Sequence, residues 1–298
     1  MNDATDDAVV KHFCRHFVSL AMVDCPLNSR GRMVRQVSQP DGTVWIRRPW
    51  CFSGFIMEVA DHWFLVTAGH ILRDIEAMLS QGKRAIEQSM LIDFLGTGAK
   101  HFQPVPFPLV DAPRYYELDE SSGTDYGVIY LRPLIRDNLI ANGVLPVEER
   151  NWRNQENVEF EHFFMLGLPT ENMVKKVGDA SGHDGTSIQI QPSMLLVERI
   201  EGVPEPLANL KGPQFFGKLL VPESSLHSID GMSGGPIIGL RRKHDGSGLS
   251  WIVAVQSGWL SQSRIVHACP FPPFARRLEE ELRRFAQTIA ESEDESTE

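Results

Sequence analysis

Many short apolar runs, frequent turn signals and few long helical stretches predict an all-β chain, a barrel or sandwich with a helix at each end. The runs are Phe52 to Val59, Trp63 to Thr67, Tyr126 to Leu131, Phe163 to Leu166, Ser187 to Ile190, Pro236 to Leu240 and Leu249 to Val255, each rich in β-branched or aromatic residues. Asp-Gly pairs at Asp41-Gly42, Asp184-Gly185 and Asp245-Gly246 punctuate them in the manner of hairpin turns.

The ends read differently. From Asp6 to about Asp24, Phe13, Phe17 and Leu20 recur at helical spacing and predict a helix. After a proline cluster at Pro270, Pro272 and Pro273, the residues Phe274, Leu278, Leu282, Phe285 and Ile289 repeat that spacing and predict a second one. Both stripes read as packing faces. The closing ESEDESTE, too charged to bury, is expected to be disordered.

The 298 residues suffice for one large or two small domains, and 42% apolar with 23% charged residues is ordinary for a globular chain. A net charge of −10 with no basic stripe to offset it argues against nucleic acid as a partner. The acidic start MNDATDD is wrong for a secretory signal, and no apolar run is long enough to span a bilayer, so no membrane partner is expected. Cys14, Cys25, Cys51 and Cys269 lack metal-ligand spacing and read as free thiols of a reducing compartment, which points to the cytoplasm. His12 and His16 share a face of the first helix without forming a metal site, and no metal or other cofactor is expected.

Chemistry concentrates at HSIDGMSGGPIIGL, His227 to Leu240. Gly231-Met232-Ser233-Gly234-Gly235 satisfies the G-x-S-x-G elbow of α/β-hydrolases, but an elbow needs a helix after its serine and the acid and histidine later in the chain. Here Pro236-Ile237-Ile238, a turn over Arg241 to Gly248, and Leu249 to Val255 read as a hairpin. The other serine chemistry places histidine first, aspartate second and serine last. Upstream stand FLVTAGHIL, with His70 at the end of an apolar strand, and SSGTDYGVIYL, with Asp125 opening another.

With these three segments in order, the chain resembles the chymotrypsin-like (trypsin-fold) serine peptidases over roughly Gly42 to Leu260. The resemblance implies two six-stranded antiparallel β-barrels: residues 42–147 carrying His70 and Asp125, and residues 148–260 carrying Ser233. Residues 1–41 would form a helical extension, and residues 261–298 the last helix and acidic tail. His70 would be general base and then acid, Asp125 would fix its tautomer, and the N–H groups of Gly231 and Ser233 would form the oxyanion hole. The substrate would be a protein or peptide, cleaved through an acyl-enzyme.

The sequence departs from the digestive members. Ile71 follows His70, no cysteine flanks Ser233, and Met232 stands where a zymogen keeps the aspartate that pairs with a new N-terminus. The pattern is closer to the intracellular, HtrA-like, glutamyl-endopeptidase and viral branches, and Leu166 to Pro169 resembles a strand end of bacterial members. By position, His227, Ser228 and Gln256 would line the specificity pocket, favouring a polar, acidic or modest apolar residue. Ser257 would support Asp125, and Ser257, Gly258 and Trp259 would pair with a substrate strand. A peptidase of this kind needs narrow specificity or a gating protein partner, for which the N-terminal helix offers a surface. The alternative is a trypsin-fold binding module without activity.

Overall fold

The computed structural model describes residues 10–295 apart from 40–41, 46, 96–103, 178–185, 190, 223–224, 244 and 246. Strands dominate it. In chain order they are β1 (Val18–Pro26), β2 (Gln36–Gln39), β3 (Gly42–Trp45), β4 (Arg48–Phe52), β5 (Phe55–Val59), β6 (His62–Thr67), β7 (Arg84–Asp93), β8 (Val105–Pro106), β9 (Arg114–Asp119) and β10 (Thr124–Leu131). The second half continues with β11 (His162–Gly167), β12 (Val174–Val177), β13 (Thr186–Gln189), β14 (Ser193–Arg199), β15 (Phe215–Leu219), β16 (Pro236–Arg242), β17 (Gly248–Leu260) and β18 (Ile265–Pro270). Besides a short helical stretch over residues 10–14, the described residues include α1 (Gly69–Ser80), α2 (Pro133–Ala141) and α3 (Phe271–Glu295). The fold is all-β, as expected. Of the Asp-Gly turns, Asp41, Asp184-Gly185 and Gly246 lie outside the described residues.

The second half is a closed antiparallel barrel in the order β11-β14-β15-β18-β17-β16. Its staves alternate inward residues such as Met165, Val197, Ile237, Ala254 and Ala268, all buried in one apolar cluster. β18 completes the ring, so this unit extends to Pro270 rather than ending near Leu260.

The first half differs from a closed six-stranded barrel. It consists of two four-stranded antiparallel sheets, β4-β1-β7-β8 and β5-β6-β10-β9. A bridge between Phe17 and Phe55 joins them on one side. On the other side β8 has only two residues and pairs with β7, and α1 packs against β7, β9 and β10 across that gap. Ile71, Leu72 and Ile75 of α1 share an apolar cluster with Leu91, Val105 and Ile129.

The expected N-terminal helix is not present over most of its span. Among the described residues only 10–14 are helical, and Val18–Pro26 is the strand β1, paired to both β4 and β7. Eight of its nine residues are buried, on both faces of the pleat. An apolar run buried on both sides carries no alternation to separate strand from helix, and pairing on two edges decides the matter. His12 and His16 instead flank Arg15, with Nε2 of His12 3.0 Å from its Nη2 and Nε2 of His16 accepting from its Nε at 3.2 Å.

At the other end α3 docks its first turns: Phe271, Phe274 and Ala275 are fully covered, whereas Phe285 is 68% exposed, so the apolar stripe leaves the core there. The helix runs on to Glu295, into the tail expected to be disordered, because no glycine or proline stops it after Pro273. Phe271 packs on Phe55 and Phe274 stacks on Tyr126 at 4.5 Å, while Ile238, Ile252 and Val255 of the barrel belong to the same cluster. The helix therefore ties both halves together. All four cysteines are buried, and none of them forms a disulfide.

Candidate active site

The histidine of the cleft comes from the first half. β6 ends at Thr67, and α1 starts at Gly69, placing His70 in its first turn. Ala68, the residue at the N-cap position, makes no side-chain cap bond. The missing acceptor arrives from the neighbouring strand: the carboxylate of Asp125, on β10, accepts the backbone N–H of His70 at Oδ1, 2.8 Å away. Its Oδ2 lies 2.7 Å from His70 Nδ1. An ionised carboxylate only accepts, so a neutral imidazole in this contact carries its proton on Nδ1 and keeps its lone pair on Nε2. One buried acid thus caps the helix and orients the imidazole on it.

The serine comes from the second half, on the turn before β16. Gly231 and Gly234 adopt φ of +91° and +88°, where only glycine is comfortable. A side chain at Gly234 would also come within 2.8 Å of Ala68 N, which shows how closely the turn abuts the residues leading to His70. His70, Gly231 and Ser233 line one cavity.

The amide groups of this turn divide into two sets. Met232 N–H donates to Ile229 O at 3.0 Å, Gly234 N–H to Gln256 O at 2.8 Å and Gly235 N–H to Met232 O at 2.9 Å. Those of Gly231 and Ser233 donate to no backbone carbonyl among the described residues. The peptide that bears the Gly231 N–H is clamped from behind, because Asp230 O accepts from Thr170 N–H at 2.7 Å. In a trans peptide C=O and N–H point opposite ways, so this contact turns the Gly231 N–H away from Thr170. The next peptide is fixed by Ser53, whose Oγ donates to Gly231 O at 2.8 Å and accepts Leu168 N–H at 2.9 Å. Met232 is fully buried and packs on Gly167.

The residues expected to form a specificity pocket are dispersed around this turn. Gln256 is 1% exposed; its backbone pairs with Gly234 and Gly235, its Nε2 donates to Gly258 O at 3.2 Å, and its Oε1 has no partner among the described residues. Gly258 and Trp259 continue β17, with Trp259 Nε1 donating to Asp230 Oδ1 at 3.3 Å. His227 is exposed and Ser228 half-buried. The backbone N–H groups of both donate to the carboxylate of Glu171, at 3.2 and 2.9 Å.

Ser257 does not support Asp125 as expected. Its hydroxyl lies 3.2 Å from Nδ1 of His267, on the paired strand β18. Burial holds His267 below the usual histidine range, against the opposing pull of the Asp125 charge.

Sequence reasoning missed Ser53, Thr170, Glu171 and His267. Only Ser53 left a signal, a hydroxyl inside the apolar run Phe52 to Val59, which the structure breaks into β4 and β5 at that residue. The other three act through backbone contacts or through strand register, which local pattern does not carry.

Among solved structures the chain is similar to a catalytically inactive tobacco etch virus protease complexed with substrate. That match has 10% identity and a TM-score of 0.34, and covers 86% of this chain and 78% of that one. An inactive chimeric murine norovirus NS6 protease matches at 16% identity and a TM-score of 0.29, over 74% of this chain and 87% of that one. No family model and no curated protein matches the chain. Superpositions this distant assign no residue a role.

Proposed function

We propose that this protein is a serine endopeptidase of the chymotrypsin-like type, acting through His70, Asp125 and Ser233. The observation that carries the reading is the bidentate hold of Asp125 on His70, which frees Nε2 in a cleft shared with Ser233. Nε2 takes the Ser233 hydroxyl proton as Oγ bonds to the scissile carbonyl carbon. It then returns that proton to the leaving nitrogen as the C–N bond breaks. Water, activated in the same way, releases the acyl group from Oγ. The uncommitted N–H groups of Gly231 and Ser233 face the developing oxyanion without having to exchange partners.

The acyl-side segment of the substrate pairs with β17 at Ser257, Gly258 and Trp259, and His227, Ser228 and Gln256 set the preference for the residue before the scissile bond. Four buried thiols outside any disulfide suit a reducing compartment such as the cytoplasm. Among the described residues no helix is long and apolar enough to cross a membrane. Narrow specificity or a regulatory protein restrains the activity.

The test is covalent labelling with a fluorophosphonate, read by peptide mapping, alongside digestion of unfolded casein and peptide libraries. Wild-type protein should be modified at Ser233, and Ser233→Ala should neither label there nor cleave. An unmodified Ser233 in folded wild-type protein would instead support the binding-module alternative.

A further inference from the structure

The cavity that holds His70 and Ser233 extends away from β17. Its volume is about 470 Å³, within the roughly 300–1,000 Å³ range of sites that enclose a small ligand. Apart from the catalytic groups and the charged Arg48 and Asp74 at its edge, its wall is mainly apolar: Trp50 and Phe52 of β4, Met22 of β1, and Ile71, Ile75 and Met78 of α1. No residue of β17 lines it.

The helix explains one wall. Positions 70, 71, 74, 75 and 78 fall on one face at helical spacing, so the face that presents the base also presents Ile71, Ile75 and Met78. The opposite wall is a braced aromatic platform. Trp50 and Phe52 stack at 6.2 Å with planes 7° apart, and both are only partly buried. Trp50 Nε1 donates to Asp24 Oδ1 at 3.2 Å, and the Arg48 guanidinium sits 5.5 Å over its ring. Asp24 is itself fully buried and ion-paired to Arg48 and Arg84. An apolar surface held this rigidly binds without first being ordered.

Resting on the catalytic reading above, the direction of the reaction identifies the occupant. The acyl segment lies along β17, and the leaving amine lies at His70, which must protonate it. The chain beyond that amine continues past His70 over the face of α1, into this cavity. We infer that the cavity is a specificity site for the residue just after the scissile bond, and that it selects a large apolar side chain, aromatic or branched aliphatic. Substrates are thereby chosen on the leaving-group side as well as on the acyl side.

Proteome-derived peptide libraries test this, because mass spectrometry reads both sides of every cut. Wild-type protein should show large apolar residues enriched after the scissile bond. In matched quenched peptides phenylalanine or leucine there should exceed glycine or aspartate by about tenfold to 100-fold in kcat/KM, the scale set by burying one such side chain. Trp50→Ala should flatten that ratio while the preference before the bond persists. Met78→Asp, a partly exposed position, should transfer the preference to lysine or arginine, a gain that misfolding cannot imitate. A profile that is flat after the bond but selective before it would overturn the inference and leave the peptidase reading intact. No hydrolysis of any peptide by folded protein would overturn both.

Discussion

Ser53→Ala isolates the support of the proposed oxyanion turn from the proposed catalytic groups themselves. The residue is 1% exposed, and its hydroxyl joins two backbone groups of the second half, Leu168 N–H and Gly231 C=O. Alanine keeps the Cβ and deletes only the oxygen, leaving one buried donor and one part-buried acceptor without the Ser53 partner. At about 1–3 kcal/mol for each orphaned group, with partial relaxation, stability should fall by about 2–4 kcal/mol. The Gly231–Met232 peptide, which lies between the two proposed donors, also loses its Ser53 contact and keeps only the bond from Met232 N–H to Ile229 O. A whole oxyanion donor is worth about 10²–10³ in turnover, so a donor that is loosened but present should cost about tenfold to 50-fold. That loss belongs in kcat rather than KM, because the donor acts on charge that develops after substrate binds. Urea titration at constant m gives the first number and steady-state kinetics the second. The pH profile of kcat should keep its shape, since the Asp125–His70 contact lies elsewhere. A variant that loses stability yet retains full kcat would refute the link between Ser53 and catalysis.

Asp125→Asn should remain folded, because an amide oxygen can still accept the His70 N–H, while turnover drops by about 10⁴ as the amide NH₂ confronts Nδ1; circular dichroism with single-turnover kinetics checks both, and a loss under about tenfold would mean another acid orients His70. Phe274→Ala removes a fully buried ring stacked on Tyr126, next to Asp125, and should cost about 3–5 kcal/mol in denaturant titration, with a loss below 1 kcal/mol counting against α3 as a brace. Burial holds His16 down to about 4, with its Nδ1 2.9 Å from Leu145 O. A histidine lowered in the folded state stays neutral there while the unfolded chain takes up a proton, so stability is complete above about pH 6.5 and falls as pH drops toward 4. Denaturation midpoints across that window should decline less steeply in His16→Gln.

The all-β class was legible because strand-sized apolar runs such as Trp63 to Thr67 and Tyr126 to Leu131 stand between turn signals. Three short segments marked the candidate catalytic residues because backbone demands there fix residue type, as at Gly231 and Gly234. Where a run is buried on both faces, as at Val18 to Val23, its pattern has no phase, and β1 read as helix. Strands such as β7, half-buried and carrying Arg84, Glu87 and Gln88, hide among ordinary polar sequence. The open construction of the first half depends on how few residues β8 contributes, which no local pattern records. Ser257 shows the same limit at the site: its place beside His267 follows from the irregular register between Gln256 and Gly258 in the pairing of β17 with β18.

The position of α3 in the chain has a consequence for biogenesis. Translation proceeds from the first residue onward, so this helix emerges after both walls of the cleft have been made. Until it does, Phe55 and Tyr126 lack the aromatic partners Phe271 and Phe274, and the strand bearing Asp125 is uncovered along that flank. Glu117, on the strand beside it, likewise waits for Arg277. A nascent chain halted at the end of β17 would hold every residue of the proposed triad but not the segment that clasps its two sources together. Competence for hydrolysis by the proposed triad would then be timed by the ribosome, arriving only when residues 271–278 leave the exit tunnel.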